Sequence, residues 1–140
     1  MQTKVIIAGI IAGVVSFLLG WVLWGMLLMD YYASNMLTYE GLEKDPMNMP
    51  AMVVSQLSSG ILLAYILGSA AGAMNWKRGA TMGLYVGFFM SLMMTTYFVA
   101  MFNWYANSTI MVVDLLLNTA FMALLGAIVG WYLGRGKSAA

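Results

Sequence analysis

The sequence predicts an all-α integral membrane protein, a four-helix up-down bundle with both termini cytoplasmic. Three observations predict it. Four apolar stretches, residues 5–29, 51–74, 80–102 and 110–133, are each long enough to cross a hydrocarbon core of ~30 Å at about 1.5 Å per residue. The connections "NWKRG" and "NWYANST" are short, which makes the helices they join antiparallel neighbours. Lys4, Lys77, Arg78, Arg135 and Lys137 all fall at one end of the stretches and only Lys44 at the other. The positive-inside rule then places the termini in the cytoplasm.

Composition points the same way. Hydrophobic residues make up 63% of the chain and charged residues 8%, against roughly 25% charged in an ordinary soluble domain. The solvent for such a surface is lipid. A net charge of +1 gives no reason to expect nucleic acid as a partner. Without Cys or His, the chain has no disulfide, thiol nucleophile, iron–sulfur cluster, His-ligated haem or His-based zinc site. With no catalytic constellation in view, the expectation is a protein that is not an enzyme and has no cofactor.

The first stretch opens like a secretory signal, with Lys4 ahead of an apolar run. That run lasts about 25 residues against about 7–15 for a signal peptide, so it is read as a retained helix. Residues 30–50 form the one sizeable outer loop of a single domain, 1–140. Tyr31, Tyr32, Met36, Leu37 and Tyr39 give the loop apolar content suited to lying along the bundle mouth, and Glu40, Glu43, Lys44 and Asp45 give it charge. Pro46 and Pro50 are expected to break helix before the second span. Trp76, Trp104 and Tyr105 fall at span ends, where amphipathic rings favour the headgroup level.

Depth then separates two kinds of residue. Towards the termini lie Gly9 and Gly13 of the first span, Gly68 and Gly72 of the second, Gly79, Gly83 and Gly87 of the third, and Gly126, Gly130 and Gly134 of the fourth. This is small-xxx-small (GxxxG) spacing. Lipid gives helices no hydrophobic reason to associate, so close backbone approach must supply the packing, within the bundle or at a homodimer face.

Towards the loop lie Trp21 and Trp24, then Ser55, Gln56 and Ser59, then Thr95, Thr96 and Tyr97, and finally Asp114 and Asn118. Bulky and polar side chains pack less closely than glycines, so the bundle is expected to splay into a polar cup centred on Asp114. A charge deep in lipid costs roughly 2.5–3.5 kcal/mol on insertion scales, so Asp114 needs partners or water. Gln56, Asn118, Thr95, Tyr97 and a tryptophan N–H are the candidate donors. Three readings of Asp114 stay open: an interfacial N-cap for a span starting there, a structural polar contact, or a ligand site. Thr95 and Thr96 can also bond within their own helix.

"DPMNMPAM" sets Met47, Met49 and Met52 in M-x-M-x-x-M spacing, and thioethers suit Cu(I). The chain has 15 Met, however, and Met also serves as an adaptable gap-filler in apolar packing.

"FLLGWVLWGMLL" (17–28), "LLAYILG" (62–68), "GATMG" (79–83) and "LLGAIVGWYLG" (124–134) give the chain a likeness. It resembles the small bacterial four-span membrane proteins of the domain-of-unknown-function 1761 family. That family tends towards F-x-x-G-x-L-W-Y-x-P-L in its first span and M-G-A-I-L-G-x-W near its end. The resemblance implies a four-helix membrane fold and a bacterial inner (cytoplasmic) membrane location, with no catalytic residues to carry over.

The functional expectation is an accessory or interaction subunit of a membrane complex. Its partners would be the lipid bilayer and other membrane chains or a second copy. The alternatives are a binder or carrier of a small apolar or cationic molecule in the cup around Asp114, and Met-based Cu(I) binding.

Overall fold

A computed structural model describes residues 2–42 and 46–135. Glu43, Lys44, Asp45 and Lys137, on which part of the charge reading falls, lie outside the described residues. Helix α1 (Gln2–Val22) runs on through a π turn, Leu23–Leu27, in which the Leu28 N–H reaches back to the Leu23 carbonyl at 2.8 Å. Gly25 sits within that turn, where the absence of a side chain leaves room for the Trp21 ring. Then come α2 (Met29–Asn35), α3 (Met49–Ser69), α4 (Trp76–Met101) and α5 (Ser108–Gly134). Four segments, Thr3–Leu27, Met49–Ser69, Trp76–Met101 and Ser108–Gly134, are long and apolar enough to cross a membrane, the build of an integral membrane protein.

The element boundaries correct several expectations. Residues 30–50 are not all loop, because α2 occupies their start. Pro50 does not stop a helix. It lies in the first turn of α3, where a missing N–H costs nothing. The second span ends at Ser69 rather than at 74. Gly72, expected to be helical, takes φ +87° in the turn that follows. The Arg78 guanidinium pins this turn by donating to the Ala71 and Ala73 carbonyls. A Cβ on Gly72 would run into that guanidinium.

One rule of local chemistry starts α3, α4 and α5. Asn48, Asn75 and Asn107 stand at their N-caps, and each side-chain oxygen accepts from a backbone N–H three residues on, at 3.0–3.1 Å. Such a cap is worth about 1 kcal/mol.

Two tight helix pairs make up the bundle, α1 with α3 and α4 with α5. In the first, Gly9 faces Ile61, Gly13 faces Leu57 and Val5 faces Gly68, so partner numbers fall as α1 numbers rise and the pair is antiparallel. Gly60 is the residue that lets α1 and α3 close, since a Cβ there would strike the backbone of Gly9 and Gly13. In the second pair Gly79 lies on the backbone of Gly126 and Gly130, Gly83 on Met122 and Gly126, and Gly87 on Met122 and Thr119. Gly134 lies on the Met74 carbonyl. Helix α5 joins the two pairs. Leu125, Val129 and Leu133 meet Ala8, Ala12, Leu63, Ala64 and Leu67 in one buried cluster.

The cations sit where helices end. Lys4 Nζ donates to the Leu133 carbonyl at 2.9 Å and also to that of Arg135, placing positive charge at the negative end of the α5 dipole. Arg135 covers the Trp131 ring at 4.3 Å, and Lys77 lies 5.6 Å from the ring of Trp76.

Candidate functional site

At the end opposite these cations the helices part around a cavity of about 960 Å³. Each spanning helix contributes a wall. From α1 and its π turn come Ser16, Phe17, Trp21 and Trp24, and from α3 Met49, Met52, Gln56 and Ser59. From α4 come Gly87, Met90, Met94, Thr95 and Phe98, and from α5 Asp114, Asn118, Phe121 and Met122. Gly87 belongs to the glycine row of the tight pair, so the cavity floor lies where close packing stops.

Asp114 is the chemical centre. Tyr32 donates to its Oδ1 at 2.7 Å, Tyr105 to its Oδ2 at 3.3 Å, and Asn118 Nδ2 to Oδ1 at 3.1 Å. Asn118 stands one turn further along the same face of α5, which is why the pair meets. Asp114 does not cap the helix, since α5 already begins at Ser108 behind its cap Asn107. The carboxyl lies about 9 Å further along the helix axis than Ser108, so the N-cap reading falls and the polar-contact and ligand-site readings stand.

The two tyrosines reach Asp114 because the outer segments are tied together. The π turn carries the chain into α2 and brings Tyr32 over α5. Beyond α2, Met36 and Tyr105 form an isolated antiparallel bridge, flanked by Leu37 N–H to the Trp104 carbonyl at 2.8 Å and Ala106 N–H to the Asn35 carbonyl at 3.0 Å. Tyr39 donates to the Asn103 carbonyl at 2.7 Å. The first connection is therefore laced to the turn between α4 and α5.

Burial above all, and next the hydrogen bond to Asp114, raises the Tyr32 hydroxyl well above the ordinary tyrosine range, with the Trp24 indole pulling the other way. Burial and then the Asp114 charge raise Tyr105, opposed by the Thr95 hydroxyl. Both phenols stay protonated as donors at neutral pH.

Not every expected donor serves Asp114. Gln56 lines the cavity, but its Oε1 accepts from the Ser16 hydroxyl at 2.5 Å, joining α1 to α3. Thr95 is in the wall and only 3% exposed. Tyr97 is not in the wall: two residues on, it is turned about 200° around α4, is 55% exposed, and packs edge-on against Phe98. Thr96 bonds within its helix, to the Leu92 carbonyl at 2.7 Å. Met47, Met49 and Met52 share the cavity wall with Met90, Met94 and Met122, an adaptable apolar lining.

The sequence reading missed Tyr32 and Tyr105 as ligands of Asp114, and missed Ser16, Phe98 and Phe121 in the wall. Ser16 had a signal, as the one hydroxyl inside the first span. The tyrosines had a signal for level only, Tyr32 along the bundle mouth and Tyr105 at a span end, and nothing local ties either to residue 114. No family model matches the chain, and no curated protein or solved structure matches it.

Proposed function

We propose that the protein binds, and carries, a small apolar cation in the cup, with Asp114 as its counter-charge. The observation that supports this most is the combination of one carboxyl with aromatic walls. Phe17, Trp21, Trp24, Phe98, Tyr105 and Phe121 surround a space that also holds Asp114. Aromatic faces attract cations, by about 2 kcal/mol or more where water is excluded. The volume lies at the upper end of the roughly 300–1,000 Å³ usual for small-molecule sites.

The test uses tetraphenylphosphonium binding to purified protein in nanodiscs, followed by tryptophan fluorescence. Wild-type protein binds, and Asp114→Asn binds about tenfold more weakly, a difference of about 1.4 kcal/mol. Equal affinity in the two proteins sinks the proposal.

A second reading has its own observation. Tyr85, Phe89, Met93 and Tyr97 recur every fourth residue along α4, and all four are well exposed. This stripe suits a neighbouring membrane chain or a second copy, as an accessory or interaction subunit needs. Copurification of one stable larger complex, lost in Phe89→Ser, supports that role.

The positive-inside rule applied to Lys4, Lys77, Arg78 and Arg135 puts the termini in the cytoplasm and the cup outside. Kinship with the four-span bacterial family rests on the quoted residues, and with it the bacterial inner membrane as location.

A further inference from the structure

Between α3 and α4 the bundle is open. Each of these helices is clasped elsewhere, α3 by α1 and α4 by α5, and the two scarcely touch each other. A smaller cavity of about 170 Å³ lies in the seam between them. Ser58, Leu62 and Leu63 of α3 form one side, Val86 and Met90 of α4 the other, and Met122 of α5 the back. Ser59, Met90 and Met122 line both cavities, so the seam continues the cup towards the glycine-packed end.

Along α3 the combined wall runs from Met49 to Leu63, about 21 Å at helix rise. That is about two thirds of a ~30 Å hydrocarbon core, deeper than one leaflet. Leu62, in the seam, is 48% exposed, so the cleft is open sideways to acyl chains.

The chemistry of the wall changes along this path. Asp114, Asn118, Gln56 and Ser16 lie in the wide upper part, whereas Leu62, Leu63, Val86 and Met122 line the narrow lower part. Among the described residues no Lys or Arg lines either cavity, so a phosphate or sulfate head finds no cation there.

We propose that the ligand is a single-chain cationic amphiphile that enters sideways from the bilayer through the α3–α4 seam. Its head lies at Asp114 and its chain lies in the seam. This rests on the cup reading and narrows its ligand to one that arrives dissolved in the membrane. The chain gains little by leaving lipid for the seam, so the seam selects by shape and the head supplies the preference.

The test is photolabelling in phosphatidylcholine nanodiscs with dodecyltrimethylammonium carrying a diazirine at its chain end, adducts being mapped by peptide mass spectrometry. The expected result is labelling of Leu62, Leu63, Val86 and Met122 about tenfold above that of lipid-facing Ile10 and Leu124, a preference of about 1.4 kcal/mol. The same chain on a sulfate head gives no such enrichment. Val86→Trp, which fills the seam, abolishes the enrichment and keeps tetraphenylphosphonium binding, which also reports that the variant is folded. Even labelling of all lipid-facing residues, with tetraphenylphosphonium still bound by the wild type, overturns the lateral route and leaves the cup reading intact. Equal enrichment with the sulfate reagent overturns the cationic head. Absence of tetraphenylphosphonium binding removes the cup reading, and this proposal with it.

Discussion

The two ends of the bundle solve one problem in opposite ways. Both must hold helices together in a solvent that gives apolar side chains no reason to associate. Near the termini the chain removes side chains: Gly79, Gly83, Gly126 and Gly130 let α4 and α5 touch backbone to backbone. Near the loops it adds large polar and aromatic groups, and cohesion comes from directed hydrogen bonds on Asp114 and between Ser16 and Gln56. Contact by dispersion leaves no space, whereas contact by hydrogen bonds between long side chains does. The difference teaches that the cavity is a by-product of how the loop end is held.

If so, the largest effect should come from the glycine end. Gly79→Leu forces a side chain into the Gly126 and Gly130 backbone and costs more than the about 1–3 kcal/mol of ordinary overpacking. The expected readout is aggregation in size-exclusion chromatography. A monodisperse, thermally stable variant breaks the comparison.

Next comes the hub of the loop end. Asp114→Leu leaves the Tyr32 and Tyr105 hydroxyls without their acceptor, at about 1–3 kcal/mol. Hydrogen exchange should quicken in α2 and in the turn after α4 while the glycine-packed half stays protected. Uniform quickening would show that the two ends are one cooperative unit.

A smaller effect depends on pH. Both phenols are raised above the ordinary value of about 10 in the folded protein. The unfolded chain therefore loses these protons first, so their contribution is complete below pH ~10 and declines as pH rises further. Melting temperature should fall above pH 10 in the wild type and fall less in Tyr32→Phe. Identical slopes in the two proteins refute the linkage.

The smallest effect sharpens the contrast. A Cβ on Gly20, which lines the cup, meets nothing within 4 Å. Gly20→Ala should gain about 0.5–1 kcal/mol from helix propensity, the opposite sign to any change at Gly79. Destabilisation at Gly20 means the cup is more tightly filled than its volume implies.

Much of this was legible in the chain because lipid imposes a coarse grammar. Length and hydropathy placed the four spans to within a few residues at most ends, and the error of five at Ser69 arose where an apolar turn, residues 70–74, reads like more helix. Asp114 and Asn118 were legible together because a helix fixes its own i, i+4 neighbours. Pairing across helices was not. Gly60 was passed over because it has no partner glycine four residues away on α3, although its partners are Gly9 and Gly13 on α1. Tyr97 was misplaced because its depth was right and its angle around α4 was not considered. Tyr32 belongs to a helix too short to show a pattern and Tyr105 to the turn before α5, and only the three-dimensional course of these segments assigns them.

That course bears on how the molecule is made. Tyr32 waits for a partner 82 positions further along, whereas the α1–α3 and α4–α5 pairs join helices that are neighbours, or nearly so, in the chain. Synthesis proceeds from the N-terminus, so each pair can assemble as it emerges, but the clasp over the mouth closes only after α5 is in place. A nascent chain that has not yet made α5 therefore has half a scaffold and an open cup, and the hub on Asp114 forms only once that helix packs.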